Sequence, residues 1–156
     1  MKPTSIFIVD DDSLHRSVVK LHLNSLGYRN IHCFPSGEVC IDNLHLKADI
    51  VFLDYMMTAM DGMEAMKIIK ARRRECFIVF VSAQNNLEAA LNALKSGAHD
   101  YIEKGREQLK KIEAALCSIQ SCFDQFTKSP EETRSFLVRN RWYNGFVAQQ
   151  NQGYPA

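Results

Sequence analysis

The sequence lacks features that mark several common classes of protein. Its 156 residues carry a formal net charge of only +1, so the chain as a whole has no strong field to attract nucleic acid or an anionic membrane. The first apolar run, residues 6–9, is far too short for a signal-peptide core or a membrane span. We therefore expect a cytoplasmic protein that does not bind membranes.

The cysteines and histidines also lack the spacing of zinc sites and of disulfide frameworks. The five cysteines are an odd number without a C-x-x-C pair, and the five histidines form no H-E-x-x-H pattern. Structural zinc needs four convergent Cys or His ligands. We therefore expect reduced cysteines, partly in the core, and solvated histidines.

What the sequence does contain is an alternation of short apolar runs with amphipathic segments. The apolar runs predict five strands, at residues 5–9, 31–34, 50–53, 77–81 and 101–104. The amphipathic segments predict helices at about residues 14–26, 37–44, 63–73, 87–96 and 109–123. Strands that are apolar throughout suit a parallel sheet buried on both faces. The sequence therefore predicts an α/β fold with a doubly wound, five-stranded parallel sheet and helices on both faces.

The first predicted helix has two neighbouring sets of apolar residues. Leu14, Val18 and Leu21 lie on one stripe, with Val19 and Leu23 beside it. Helical periodicity of this kind predicts an amphipathic helix that packs against the sheet.

Polar side chains follow the predicted strands at their carboxyl ends. Asp10 and Asp11 follow the first strand, and Asp54 follows the third. Ser82 and Lys104 end the fourth and the fifth strand. In an open parallel sheet these ends share one edge, where such folds bind ligands. Three carboxylates, a hydroxyl and an ammonium are therefore expected to converge.

This set of side chains suits a divalent cation and a phosphoryl group. A cation relieves the repulsion among three carboxylates, and Mg²⁺ (or Mn²⁺) prefers such oxygen ligands, whereas zinc would call for convergent His or Cys. A lysine and a hydroxyl opposite the metal would neutralise a transferring phosphoryl group. A central carboxylate can attack that group and form an acyl phosphate.

Four motifs, in this order, carry a resemblance to a known family. They are I-V-D-D-D at residues 8–12, F-L-D-Y-M-M-T-A-M-D-G at 52–62, V-S-A at 81–83 and G-A-H-D-Y-I-E-K at 97–104. From residue 5 to 122 the chain resembles the response-regulator receiver (CheY-like) domains of two-component signalling. The resemblance implies a flavodoxin-like sheet with strand order 2-1-3-4-5.

The resemblance also implies which residues handle the phosphoryl group and the metal. Asp54 matches the phosphoacceptor. The phosphoryl group that it accepts comes from a histidine kinase or from a phosphotransfer protein. Asp10 and Asp11 match the metal-binding pair, and Asp54 and the backbone carbonyl of Met56 complete the protein ligands. Acceptance and loss of the phosphoryl group are then self-catalysed, and the chain is not otherwise an enzyme.

Further positions match the signalling parts of the family. Ser82 is expected to hydrogen-bond the phosphoryl group, and Lys104 to form an ion pair with it. Tyr101 matches the switch aromatic, which turns inward when Ser82 moves toward the phosphate. Met56 and Gln84 stand where the family tunes the rate of dephosphorylation.

The chain departs from the family pattern at two positions. Family members usually have proline where Thr58 stands, and again directly after the lysine, where Gly105 stands. The second proline often follows a cis peptide bond, and a cis bond before a residue other than proline costs about 3 kcal/mol. We therefore expect a trans bond and a differently shaped loop after Lys104.

The last residues of the sequence form an extension to the expected receiver domain. We expect residues 1–123 to form the receiver and residues 124–156 an extension, with a helix at about 130–147 that is not an independent domain. This extension is shorter than an ordinary domain of about 50 residues, so no DNA-binding output domain is expected. Its aromatic residues suggest an output or dimerisation element. Three arginines alternate with these aromatic residues, Arg134, Arg139 and Arg141. Nucleic-acid binding is therefore a second, less favoured interpretation of the extension.

Three functions remain open on the sequence. The leading one is a response regulator or phosphorelay intermediate that contacts a downstream protein, or itself, through the face formed by the fourth helix, fifth strand and fifth helix, or through the extension. The second is a degenerate receiver that serves as a scaffold. The third is a phosphatase similar to the haloacid dehalogenases, for which Asp10 and Asp12 fit the Asp-x-Asp motif but Leu14 does not.

Overall fold

The computed structural model describes residues 4–126, in which strands and helices alternate along the chain. The strands are β1 (Ile6–Val9), β2 (Ile31–Phe34), β3 (Ile50–Leu53), β4 (Phe77–Ser82) and β5 (Asp100–Glu103). The helices are α1 (Ser13–Ser25), α2 (Gly37–Asp42), α3 (Gly62–Arg72), α4 (Leu87–Lys95) and α5 (Gln108–Phe126), with a 3-10 turn at Leu44–Leu46. The five predicted βα units are confirmed, with boundaries that differ by a few residues.

The strands form one parallel sheet in the order β2-β1-β3-β4-β5. This confirms the predicted doubly wound, flavodoxin-like α/β fold. Val9, the last residue of β1, is in register with Leu53, the last residue of β3. The backbone N–H of Asp54 donates to the carbonyl of Val9 at 2.8 Å, which extends the pairing past both strands. The register therefore places Asp10 and Asp54 at the same level of the sheet edge.

The core lies on the sheet, where the central strands have no exposed face. All residues of β1 and β3 are buried, and Phe7, Phe52 and Phe80 are among the largest fully buried side chains. Helices cover both faces, so these strands are apolar throughout instead of alternating with polar residues. Burial of this kind supplies most of the favourable free energy of folding.

Helix α1 packs on the sheet through only one of its two apolar stripes. Val19 and Leu23 are buried, whereas Leu14 and Leu21 are 71% and 72% exposed. Asp12 is the N-cap of this helix, and its side chain accepts hydrogen bonds from two backbone N–H groups of the first turn.

Helix α5 spans two compact units, which divide after Ala115. In the second unit the described residues, 116–126, continue the helix, and Gln120 donates to Asp124 at 2.8 Å. The predicted helix at 130–147 and the three arginines of the extension lie outside the described residues. Within residues 4–126, none of the helices combines the length and the apolarity that a membrane crossing requires.

Candidate functional site

Three acidic side chains meet at the carboxyl edge of the sheet. Asp10 and Asp11 follow β1 and Asp54 follows β3, and each offers an oxygen within 4.8 Å of the others'. Asp10 and Asp54 are buried, at 2% and 5% exposure, whereas Asp11 is exposed. The structure thus brings together the three carboxylates that the sequence placed at one edge.

Lys104 reaches this acidic group from the end of β5. Its Nζ lies 2.7 Å from Oδ2 of Asp10 and 3.4 Å from Oδ2 of Asp54. Its backbone N–H donates to the carbonyl of Ser82 at 2.7 Å, which continues the β4–β5 pairing. The bond after Lys104 is trans, as expected, because residues 4–126 contain no cis peptide bond. Replacement of the usual proline by Gly105 therefore does not take the lysine away from the acids.

The pKa shifts show that the two buried acids are neutralised unequally. Burial and the neighbouring charge of Asp10 raise the pKa of Asp54, and Lys104 offsets this only in part. Burial also pushes the pKa of Asp10 upward, but its contacts with His15, Lys104 and the Asp12 N–H outweigh burial and lower it. Lys104 and His15 thus lower the pKa of Asp10 below its usual range, whereas burial and the charge of Asp10 keep the pKa of Asp54 above it.

This donor set fits a hard divalent cation. The available atoms are carboxylate oxygens held close together, two of them on buried side chains. Mg²⁺ and Mn²⁺ take oxygen ligands of this kind, and Mg²⁺ usually keeps several waters, for which the exposed side of Asp11 leaves access. Asp10, Asp11 and Asp54 are therefore the residues that would hold the ion.

Ser82 and Tyr101 are joined through the backbone of one residue. Ser82 ends β4 with no exposed surface, and its Oγ accepts from the backbone N–H of Gln84 at 3.1 Å. The hydroxyl of Tyr101 donates to the backbone carbonyl of the same Gln84 at 3.2 Å. The backbone of Gln84, in the β4–α4 loop, is therefore bonded to both side chains.

The loop after Asp54 is anchored to its carboxylate and to helix α3. The backbone N–H of Met56 donates to Oδ1 of Asp54 at 3.2 Å, whereas the Met56 side chain is 52% exposed. At Gly62 a Cβ atom would clash with the Asp54 carbonyl oxygen and would lie 2.8 Å from Cε1 of Phe80. Only glycine lets α3 start this close to the backbone of Asp54.

The sequence interpretation missed two polar residues beside Asp10. Nδ1 of His15 lies 2.7 Å from Oδ2 of Asp10, and Nε2 lies 3.1 Å from Oε1 of Gln108. Arg16 donates to the backbone carbonyl of Asp10 at 2.6 Å. The prediction of solvated histidines is wrong for His15 and for His22, whose side chains are only 12% and 16% exposed. The available signal was position, because both missed residues lie in the first turns of the helix that follows the acidic pair.

The cysteines agree with the prediction of reduced thiols. All five are free, and Cys40, Cys76 and Cys122 are buried. Burial raises the pKa of Cys40 and of Cys76 to about 12. Cys40 and Cys76 therefore belong to the packing of the core and not to the site.

Comparison with known proteins gives results in accord with this geometry. The family model described as response regulator receiver domain matches residues 6–116. The transcriptional regulatory protein ZraR of Escherichia coli (strain K12) is 34% identical over 100 residues, which cover 64% of this chain and 22% of ZraR. The DNA-binding transcriptional regulator NtrC of Klebsiella pneumoniae is 36% identical over 99 residues, which cover 63% of this chain and 21% of NtrC. The match spans about a fifth of the length of these relatives.

A solved structure extends the likeness to three dimensions. A chain of the CheX-CheY-BeF3-Mg²⁺ complex from Borrelia burgdorferi superposes with a TM-score of 0.68 and 25% sequence identity. The superposition covers 75% of this chain and 89% of that one.

Proposed function

Because the chain belongs to the family of response regulator receiver domains of two-component signalling, we propose that Asp54 accepts a phosphoryl group in a Mg²⁺-dependent reaction. The donor is a phosphohistidine of a histidine kinase or of a phosphotransfer protein. An oxygen of the Asp54 carboxylate bonds to phosphorus while the bond from phosphorus to the histidine nitrogen breaks, and the imidazole leaves. Mg²⁺, when bound, supplies charge neutralisation for the carboxylates and the phosphoryl oxygens.

One observation carries the proposal: a second buried acid and an ammonium both lie beside Asp54. Asp10 stands beside it in register, and Lys104 Nζ is 3.4 Å from its Oδ2. A phosphoryl group bonded to Asp54 would lie next to the metal ligands and within reach of Lys104. Positioning and charge neutralisation of this kind account for most catalysis of phosphoryl transfer.

The chain's own residues would then bind and report the phosphoryl group. The hydroxyl of Ser82 would donate a hydrogen bond to a phosphoryl oxygen. Its Oγ would then lose the hydrogen bond that it now accepts from the Gln84 N–H. The backbone carbonyl of Gln84 also accepts from the Tyr101 hydroxyl, so a displacement of Gln84 would move the Tyr101 ring. We assign Ser82 and Tyr101 to the switch, and Met56 and Gln84 to control of autodephosphorylation.

The proposed output is a contact with another protein or with a second copy of the chain. The outward side of α4 supports this assignment, because Leu87, Leu91 and Leu94 are 74%, 45% and 44% exposed and recur at helical spacing. The proposed contact face comprises α4, β5 and α5. A cytoplasmic location and an output without DNA binding are parts of the same proposal.

We further propose that residues 1–123 act as the receiver and residues 124–156 as an extension that takes part in output or dimerisation. Helix α5 continues to Phe126, so in this proposal the extension begins inside its last turn.

The two alternative functions fit the site less well. In a haloacid dehalogenase-like phosphatase Asp12 would take part in catalysis, but here its Oδ1 accepts from the backbone N–H groups of Leu14 and His15 as a helix cap. A degenerate scaffold would not need the contacts of Lys104 with Asp10 and Asp54, and the site retains both.

The test is incubation of the full chain with acetyl phosphate and Mg²⁺, read by intact mass. Wild type is expected to gain one phosphoryl group only when Mg²⁺ is present, and the Asp54→Asn variant to gain none. Beryllofluoride with Mg²⁺ should give the same pattern, read by NMR shifts around Tyr101. An unmodified wild type, or a modified Asp54→Asn variant, would exclude Asp54 as the acceptor.

A further inference from the structure

The carboxylate of Asp10 is closely surrounded by polar groups. Its Oδ1 accepts from the backbone N–H of Asp12 at 2.8 Å. Its Oδ2 lies 2.7 Å from Lys104 Nζ and 2.7 Å from His15 Nδ1. Both charged contacts fall on Oδ2, so Oδ1 is the oxygen of Asp10 with a lone pair left for a metal. His15 and Lys104 therefore share one oxygen.

The other end of the His15 ring contacts the helix that follows Lys104. Nε2 of His15 lies 3.1 Å from Oε1 of Gln108, the first residue of α5. The backbone N–H of Gln108 donates to the carbonyl of Gly105 at 3.2 Å and closes the loop that begins at Lys104. His15 of α1 thus contacts Asp10, which binds Lys104. It also contacts Gln108, at the far end of the loop that begins at Lys104.

The loop itself offers little to fix its shape. Gly105 and Arg106 are exposed, and a Cβ at Gly105 would have no atom within 4 Å. A glycine at this position adds conformational freedom that the usual proline would remove. The contact between His15 and Gln108 is shielded from water, since the His15 side chain is only 12% exposed. Shielding strengthens a polar contact relative to one in solvent.

We propose that His15 and Gln108 form a clamp that positions Lys104 for the phosphoryl group. This proposal rests on the proposed function at Asp54. His15 acts through other groups and is a positioning residue. When Lys104 turns toward the phosphoryl oxygens, His15 remains in contact with Oδ2 of Asp10. Asp10 therefore keeps a polar partner, and its attraction for the departing lysine is weaker. Gln108 keeps the other end of the loop on α1 during this exchange.

A set of variants separates the two contacts of the ring. His15→Leu removes both. His15→Asn places an amide nitrogen near the position of Nδ1 and keeps only the Asp10 contact, whereas His15→Gln reaches toward the position of Nε2 and keeps only the Gln108 contact. His22→Leu is the matched control, because His22 also lies on α1 and contacts α5, at Glu113, 3.1 Å away, but does not contact Asp10.

The first measurement is the maximal rate of phosphorylation by acetyl phosphate at saturating Mg²⁺. His15→Leu is expected to be about tenfold slower than wild type, because the buried carboxylate of Asp10 loses a close polar neighbour and the loop loses its contact at Gln108. His22→Leu should keep the wild-type rate. Adding Gln108→Leu should slow His15→Gln further but leave His15→Asn unchanged, since that variant has already lost the contact. A wild-type rate for His15→Leu, an equal loss in His22→Leu, or additive effects with Gln108→Leu in every background would overturn the clamp.

The second measurement needs neither metal nor phosphate. In ¹⁵N-labelled, Mg²⁺-free protein, the amide signals of residues 105–108 should shift or broaden in His15→Leu and remain at their wild-type positions in His22→Leu. Unchanged signals would overturn the clamp. If wild type takes no phosphoryl group, the proposed function fails by itself, and these signals still decide on the clamp. If His15→Leu does not fold, His15→Asn and His15→Gln carry both measurements.

Discussion

The ammonium of Lys104 lies 2.7 Å from Oδ2 of Asp10, so the lysine is held mainly by the acid beside the proposed phosphoacceptor. The carboxylates raise the pKa of Lys104 in spite of its burial, and the lysine therefore remains a cation at neutral pH. Lys104 contacts Asp10 and Asp54, so binding of a divalent cation or of a phosphoryl group at these acids would change the charge around the lysine. On the proposed function we expect the lysine to repel the metal ion and to attract the oxygens of the phosphoryl group.

Lys104→Met should separate these two effects. Removal of a charge near Asp10 and Asp54 should tighten Mg²⁺ binding about thirtyfold, in line with a Coulomb repulsion of about 2 kcal/mol between a univalent and a divalent cation about 4 Å apart at high dielectric. The same change should slow phosphorylation, because the phosphoryl oxygens lose a cation. Calorimetric titration with Mg²⁺ and acetyl phosphate kinetics provide the two readings.

Lys110→Met is the matched control for that experiment. Lys110 is 79% exposed and pairs with Glu107 instead of with the acids of the site. Its loss should change neither reading by more than the small effect expected of an exposed ion pair. Weaker Mg²⁺ binding in Lys104→Met would contradict the expected repulsion.

Gly62→Ala should destabilise the fold by about 2 kcal/mol or more, because the added methyl has no room beside the Asp54 carbonyl and the Phe80 ring. Helix α3 or the Asp54 backbone must move to accept it. Urea unfolding measures the loss as a lower midpoint with an unchanged slope. Ala71→Ser, at an exposed position of the same helix, should stay within about 0.5 kcal/mol of wild type. Equal stability of Gly62→Ala and Ala71→Ser would show that the close approach is absent.

Tyr101→Phe should keep the ring contacts and lose the bond to Gln84. The ring packs edge-on against Tyr55 at 5.8 Å, a contact that Phe preserves. Loss of the hydroxyl should cost about 1 kcal/mol. The α4 amide signals that respond to beryllofluoride in wild type should respond less in Tyr101→Phe, since the β4–α4 loop loses its link to the ring. An undiminished response would show that the hydroxyl takes no part in switching.

The sequence predicted the positions in the site that strand ends determine. Asp10, Asp11 and Asp54 could be placed because each directly follows an apolar run, and parallel strands end at one edge. His15 and Gln108 could not be placed in this way, because their meeting depends on the rotation of α1 and on the path of the loop after Lys104. The same uncertainty of rotation explains α1, in which two apolar stripes were available and only the stripe with Val19 and Leu23 is buried.

The buried thiols of Cys40 and Cys76 should make the fold less stable in alkaline solution. Burial raises the pKa of Cys40 and Cys76 to about 12 from a model-compound value of 9.0. Between these values the unfolded chain loses thiol protons that the folded chain keeps, so the free energy of unfolding falls as pH rises above about 9. Urea unfolding at a series of pH values measures this decline.

Thiol labelling checks the same assignment at mildly alkaline pH. The thiolate is the reactive form, so Cys40 and Cys76 should react only after unfolding, whereas the exposed Cys117 should react in the native protein. Cys117→Ser should remove the fast phase. Rapid native labelling of Cys40 or Cys76 would contradict their burial.

The location of the acyl phosphate tests the central claim most directly. Wild-type chain treated with acetyl phosphate and Mg²⁺ is reduced with borohydride, which converts an aspartyl phosphate to homoserine, and its peptides are then mapped by mass spectrometry. We expect homoserine at position 54 alone, and none when Mg²⁺ is withheld. Homoserine at Asp10 or Asp11, or at position 54 to the same extent without a divalent cation, would contradict the account.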